Sequence, residues 1–373
     1  MIGYVGYPSP AMLADLALRG VPADAIVGIT GIEQSWDETL SGTPGGQLQI
    51  VSPQGERLRT MGNVAPGPSE GVYLTIDSEL QLITQQALND AYNIANWAGV
   101  ARGAAVVVLD VNTGEVLAMA SYPSYDPNLF NPDTPRQDAG ERLVAMQNNE
   151  RQPQLNRATQ GGYPPGSVFK ITTMAAVADS NVHQMDYSYT CHGVWDGSSS
   201  GDHTRYGWIL ETAQGAHGTV DLRQALTGSC DPYFWQMGAD MDIRDPNLLP
   251  NYAQKMGFGA PTGIQGLDEF AGQVPSPEWI RQAAGRTWTR SDAVNMTIGQ
   301  GDLLVTPLQI ARLVAAFANG GDLLVPQVVH HTGLIGEENS YTFEPTVERN
   351  IDIRPDIVDA VRDAMCAVTT DVS

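Results

Sequence analysis

Lysine is almost absent from this chain. Of its 20 lysines and arginines, spread over 373 residues, only Lys170 and Lys255 are lysines. Positive charge is scarce altogether, since 42 acidic residues leave a formal net charge of -22. Nucleic acid and anionic lipid headgroups both require basic patches, and this balance argues against either as a partner. Cysteine is equally sparse. Cys191, Cys230 and Cys366 show no Cys-x-x-Cys spacing and cannot all pair, so neither a zinc ribbon nor a disulfide framework is indicated. Long apolar runs are missing too. No stretch approaches the ~18 consecutive apolar residues of a membrane span, and Met1-Ile2-Gly3-Tyr4-Val5 has no basic segment leading into an apolar core. The remaining composition is that of a globular chain long enough for two or more domains, with 42% hydrophobic residues and with 39 glycines and 24 prolines marking many turns.

Against that background, one of the two lysines stands in a telling place. Ser167-Val168-Phe169-Lys170 follows Gly161-Gly162-Tyr163-Pro164-Pro165-Gly166 and leads into the apolar run from Ile171 to Val177. A serine hydroxyl is a poor nucleophile at neutral pH and needs a neighbour to take its proton; positions i and i+3 of a helix share a face and supply one. Pro164-Pro165 disfavours helix upstream, so Ser167 is predicted at a helix start, where free backbone N–H groups favour developing negative charge. Burial of Lys170 among Phe169, Ile171 and Met174 would desolvate the ammonium and make a neutral amine base accessible. Ser-x-x-Lys alone arises by chance on the order of once in a chain of this length. A composition that avoids lysine yet keeps one inside an apolar helix shifts the odds toward function.

The rest of the chain reads as α+β. Ser9 and Pro10 open a predicted helix over 11–19, residues 21–69 are turn-rich, and Asp77 caps a longer helix with Leu80, Ile83, Ala87, Ala91 and Ile94 on one face. A domain boundary falls near Gly71. Two apolar runs, 104–109 and 115–121, are joined through Asp110, Asn112 and Gly114 into a predicted antiparallel hairpin with both strands buried on both faces. Helices are predicted over 167–179, 222–226, 231–240, 307–319 and 355–368. Cys191-His192 with His203 fits no zinc spacing, and no metal is assigned.

The ordered series of segments resembles the class B penicillin-binding proteins over nearly the whole chain. Gly31-Ile32-Glu33 with Leu40-Ser41-Gly42 resembles the family's pedestal motif, and Leu74-Thr75-Ile76-Asp77 its entry to the transpeptidase domain. The segments around Gly103 to Asp110, Gly114 to Met119, Asn156-Arg157-Ala158, Pro165 to Lys170, Ile298-Gly299-Gln300-Gly301 and Thr306-Pro307-Leu308-Gln309 follow in family order. The resemblance implies a transpeptidase fold like that of the serine β-lactamases, with an antiparallel sheet flanked by helices. It divides the chain into a pedestal part, 1–70, and a transpeptidase domain, 71–373. Ser229-Cys230-Asp231 stands at the family's Ser-x-Asn motif, and its Asp231 resembles the elongation-type penicillin-binding protein 2 branch. By this resemblance Ser229 passes a proton between Lys170 and a leaving amine, and residue 231 holds the lysine and a substrate amide. An aspartate there would stabilise the lysine cation, so the reactive protonation state stays open. His217-Gly218 resembles a family loop without assigned chemistry, and Glu33 is a candidate for an ion pair in the pedestal.

The family's third motif, Lys-Ser/Thr-Gly, has no counterpart here. The resemblance places it beyond Ser373 and the membrane anchor before Met1, which leaves the fold incomplete at its carboxy-terminal side and strand 104–109 as a sheet edge. It also implies that this chain alone is poorly active, because one oxyanion-hole donor would come from the missing strand. The implied activity is a D,D-transpeptidase at the extracytoplasmic face of the cell membrane. Its partners would be a D-Ala-D-Ala stem peptide, β-lactams and a membrane glycan polymerase, with no cofactor. Two alternatives stay open: a catalytically silent scaffold or sensor on the same fold, and a D,D-carboxypeptidase or serine β-lactamase.

Overall fold

The computed structural model describes residues 1–94, 101–134 and 136–370. Its amino-terminal part opens on the short strand β1 (Val5–Gly6) and the helix α1 (Leu13–Leu18), and β2 (Val27–Gly28) pairs antiparallel with β1. Ser9 does not cap α1 as predicted. The Met12 N–H donates to the Ser9 carbonyl (2.9 Å), so the chain makes a turn there before the helix begins. Helices α2 (Gly31–Ser35) and α3 (Asp37–Ser41) follow. The ion pair expected at Glu33 forms at Asp37 instead. Asp37 is buried, pairs with Arg19 (3.3 Å) and accepts the Gly28 N–H (2.8 Å). Glu33 has no ion pair among the described residues, and its carboxyl is pushed up by burial and then by the neighbouring Asp37.

The stretch read as turn-rich contains a long antiparallel ribbon, β3 (Gly46–Val51) and β4 (Arg57–Val64), closed by a turn in which the Gly55 N–H reaches the Ser52 carbonyl (2.9 Å). Its apolar side chains face no core: Leu48 is 69% and Leu58 64% exposed. That is why hydrophobic patterning did not reveal it.

From β5 (Gly71–Leu74) the chain enters α4 (Ser78–Ile94), and the predicted cap is present, with Asp77 Oδ1 accepting the Leu80 N–H at 2.8 Å. The buried face differs from the predicted one. Thr84, Leu88 and Tyr92 are buried, whereas Ile83 is 57% and Ile94 85% exposed. Gln81 explains the rotation. Its side-chain amide donates to the Met119 carbonyl (3.0 Å) and accepts the Met119 N–H (2.8 Å), so a polar residue satisfies backbone groups on an open strand edge and faces inward.

The predicted hairpin is β6 (Ala104–Leu109) and β7 (Val116–Tyr122). Asp110 Oδ1 accepts the N–H groups of Asn112 and Thr113 at the turn, and Gly114 takes the left-handed backbone (φ 80°) that closes it. Most of β7 is buried, but β6 is only half-buried along its length, and among the described residues no strand pairs with its outer edge.

Helix α5 (Ala139–Gln147) precedes the 3₁₀ turn Gly166–Phe169, which runs directly into α6 (Lys170–Asp179). Two small ribbons follow, in which β8 (Tyr189–Cys191) pairs with β11 (Gly218–Val220) and β9 (Val194–Asp196) with β10 (Thr204–Tyr206). Then come α7 (Leu222–Thr227), α8 (Asp231–Arg244), α9 (Leu248–Lys255), α10 (Pro277–Trp279), α11 (Arg290–Thr297) and α12 (Pro307–Ala318). Next, β12 (Asp322–Leu324) pairs with β15 (Val347–Asn350), and β13 (Val329–Gly333) lies between β14 (Asn339–Thr342) and β5. Helix α13 (Pro355–Thr370) is the last described element; Ser373, after which the third motif is expected, lies outside the described residues.

Helix α6 is the centre of the main core. Every side chain from Lys170 to Ala178 is buried, and α7, α8, α9 and α13 pack around it. A helix apolar on all sides must be enclosed by other elements, and this enclosure fixes where its first residue points. Among the described residues no helix is long and apolar enough to cross a membrane.

Candidate active site

The turn before α6 is built by backbone geometry. Gly166 has φ 60°, and its N–H donates to the Gly299 carbonyl (3.0 Å). Tyr163 and Val305 exchange both backbone hydrogen bonds (2.9 Å each), which ties the approach to the turn to the segment before α12. Ser167 is exposed at the start of the 3₁₀ turn, and the α-helix proper begins only at Lys170. In a 3₁₀ turn residues i and i+3 eclipse, so Ser167 sits over Lys170 more directly than in an α-helix.

Lys170 is fully buried. Its Nζ donates to Asp231 Oδ1 (2.5 Å), Ser229 Oγ (2.9 Å) and the Ser229 carbonyl (3.0 Å), and it lies 5.5 Å from the centre of the Phe234 ring. These acceptors use all three hydrogens of an ammonium. Thus the structure brings Lys170, Ser229 and Asp231 together, with Ser167 one turn away; Ser167 Oγ is not among the amine's hydrogen-bond partners. Burial holds the Lys170 amine below the ordinary lysine range, opposed by the Asp231 carboxylate through charge and hydrogen bonding.

Ser229 adopts a left-handed backbone (φ 49°) directly after Gly228. Its N–H donates to the Leu226 carbonyl (3.0 Å) and the Cys230 N–H to the Ala225 carbonyl (2.9 Å), so the chain folds back between α7 and α8. Asp231 is the first residue of α8, and its carboxylate turns to Lys170. Two further residues shape this loop: Trp208, which carried no signal in the sequence, and His217, in the loop that the resemblance marked without assigning it chemistry. The Trp208 indole N–H donates to the Ser229 carbonyl (3.0 Å), and His217 Nε2 lies 2.9 Å from the Gly228 carbonyl.

His203 pairs with Asp202 (2.8 Å), and the donor cluster the structure forms is a different one. Ligand atoms of Cys191, His217 and Cys230 lie within 4.8 Å of one another. Two thiols and an imidazole at this spacing are a donor set that could hold a soft divalent cation such as zinc, with a fourth position to be filled. Burial, followed by the Cys191 side chain, pushes the Cys230 thiol well up. A protonated thiol is therefore its state without a cation.

Charge removal at residue 231 gives a first test. Asp231→Asn keeps the shape and an acceptor oxygen but deletes the carboxylate that favours the ammonium, so the Lys170 amine is expected to titrate at still lower pH. With two lysines in the chain, isotope labelling of lysine alone gives two side-chain NMR resonances to follow. A Lys170 titration unmoved or raised in the variant would contradict the assigned electrostatics.

Two family models match the chain: the penicillin-binding protein dimerisation domain over residues 1–74 and the penicillin-binding protein transpeptidase domain over residues 104–373. Among similar proteins, the peptidoglycan D,D-transpeptidase MrdA of Acinetobacter baumannii is 32% identical over 337 residues, covering 89% of this chain and 46% of that protein. MrdA of Escherichia coli K12 is 31% identical over 324 residues, covering 87% and 48%. The chain thus spans about half the length of the curated relatives it matches. A crystal structure of Pseudomonas aeruginosa PBP2 in complex with WCK 5153 aligns over 97% of this chain and 70% of its own, with TM-score 0.76 and 28% identity. A complex between PBP2 and MreC from Helicobacter pylori aligns over 98% of this chain and 62% of that one, with TM-score 0.78 and 27% identity. The buried lysine held by Ser229 and Asp231 under an exposed serine therefore sits in the penicillin-binding transpeptidase fold, and the chain belongs to the penicillin-binding protein transpeptidase family, on its penicillin-binding protein 2 branch.

Proposed function

We propose that the protein is a peptidoglycan D,D-transpeptidase with Ser167 as nucleophile. Residues 71–373 carry the chemistry, and residues 1–70 form part of a non-catalytic pedestal. The observation that carries this reading is the amine of Lys170, buried below an exposed serine and tied to a second serine hydroxyl. Ser167 Oγ attacks the carbonyl between two D-alanines of a stem peptide, and its proton passes to the neutral Lys170 amine. The resulting ammonium returns a proton through Ser229 Oγ to the departing D-alanine nitrogen, leaving an ester on Ser167. An amine of a neighbouring strand then takes the acyl group, forming a peptide crosslink and restoring the serine. A β-lactam would place its strained amide at the same carbonyl position and acylate the same oxygen.

Asp231 has a holding role in this scheme, since it keeps Lys170 oriented between turns of the cycle. The reading also sets the protein at the extracytoplasmic face of the cell membrane, working beside a glycan polymerase. Support comes from similar structures, a complex between PBP2 and MreC from Helicobacter pylori and a peptidoglycan synthase complex that coordinates polymerization and crosslinking.

The test uses the full gene product. Intact mass after exposure to benzylpenicillin is expected to rise by one adduct, and peptide mapping is expected to put that adduct on Ser167. Given a pentapeptide donor and an amine acceptor, the products should be free D-alanine and a crosslinked dimer. An adduct on another residue, or none, would dismiss the nucleophile; hydrolysed donor without dimer would favour a carboxypeptidase; an inert protein would favour the scaffold.

A further inference from the structure

We infer that Trp208 is a positioning residue for acylation, acting on Lys170 through the carbonyl oxygen of Ser229 that the two side chains share. The inference rests on the acyl-enzyme reading above. Trp208 opens the 3₁₀ turn Trp208–Glu211 and is 45% exposed, yet its indole N–H points inward onto a carbonyl at the centre of the site rather than into water. Its approach is fixed by close backbone packing. The Gly207 N–H donates to the Gly193 carbonyl (2.8 Å), and a Cβ on Gly207 would stand 3.0 Å from Pro232 Cδ in the first turn of α8. On its other side the indole meets His217 edge to face, with ring centroids 5.8 Å apart.

The Ser229 carbonyl accepts two donors at 3.0 Å each, the Lys170 amine and the Trp208 indole. A carbonyl oxygen has two lone pairs, and a donor on one weakens its attraction for a donor on the other. The indole therefore keeps Lys170 from being held too firmly in its charged form, and it keeps the carbonyl satisfied when the amine moves toward Ser167. It also braces a left-handed serine backbone, which persists only where the surroundings enforce it.

The titratable and charged groups facing Lys170 are Asp231 on α8 and the Cys230 thiol in the loop before it, with Ser229 as the hydroxyl on its amine; His217 faces the indole. Losing the indole N–H makes the Ser229 carbonyl a stronger acceptor for the ammonium. The Lys170 cation is then favoured, and the pH at which a neutral base becomes available rises.

In the full gene product, Trp208→Phe is expected to lower the acylation rate constant for benzylpenicillin at neutral pH by roughly three- to tenfold, the scale of one hydrogen bond. The rising limb of the acylation pH profile should move to higher pH. Replacing Trp208 with benzothienylalanine, which keeps the bicyclic shape and lacks the N–H, should reproduce both changes with normal folding. Unchanged rate and pH limb in the benzothienylalanine protein would overturn the inference. So would a change confined to the apparent affinity for penicillin, since that marks a ligand contact alone. If the unaltered protein forms no Ser167 adduct, the acyl-enzyme reading itself fails, an outcome distinct from both.

Discussion

Lys170→Met is expected to slow acylation of Ser167 in the full gene product by about 10³-fold, within the range that a positioned general base contributes. Ser167→Ala, which forms no adduct, marks the floor. Methionine fills the buried channel with a chain of similar length but has no proton to accept or give, so the hydroxyl must react unassisted. The substitution also strands Asp231, whose side chain is only 15% exposed and loses its 2.5 Å partner. Breaking a buried pair by removing one member costs about 3 kcal/mol or more. The two losses can be separated. In Lys170→Met with Asp231→Asn, the uncompensated charge is gone and most of the stability in a denaturant titration should return, while acylation stays near the single-variant rate. An acylation rate within tenfold of the unaltered protein in either variant would remove Lys170 from the chemistry; stability and rate recovering together would reduce its role to packing.

What was legible in the sequence was local. Ser167 and Lys170 are one turn apart, the prolines and glycine before them break the chain, and the apolar run after them has to be buried; these facts lie within a short window and needed no partner. Of the helices around α6, α7, α8 and α13 were readable for the same reason, because their apolar spacing answers to a core that does enclose them, whereas α9 was not predicted. The missed features depend on groups distant in sequence. Gln81 turns the inward face of α4 because Met119 presents free backbone groups to it, and no window over 78–94 contains that information. Cys191, His217 and Cys230 meet only because β8 pairs with β11 and α7 returns the chain beside them, so linear metal spacings could not find them. The ribbon β3–β4 has strand alternation but no buried face, which removes the signal that marks a strand. Trp208 lay hidden for a third reason: an exposed indole in a loop is ordinary until the carbonyl beneath it is identified.

Gly299→Ala is expected to reduce acylation of Ser167 by about 10²-fold by displacing the turn that carries the nucleophile. Gly299 holds φ 69°, and a Cβ built there would lie 2.2 Å from the Gly166 carbonyl oxygen and 2.7 Å from its nitrogen. Both obstacles are backbone atoms and cannot swing aside as a side chain would. Gly166 must therefore move, and with it the 3₁₀ turn that starts there and carries Ser167. Displacements of about 1 Å at a reacting group can cost on the order of 10²-fold in rate. A stability loss of about 2–4 kcal/mol should accompany it, from the left-handed backbone and from overpacking. Gly20→Ala is the matched comparison, because Gly20 has nearly the same backbone (φ 75°) with nothing within 4 Å of its would-be Cβ. That variant should lose about 1 kcal/mol and acylate normally. Equal acylation rates in the two alanine variants, measured with a fluorescent penicillin, would show that the contact between Gly299 and Gly166 does not set the position of Ser167.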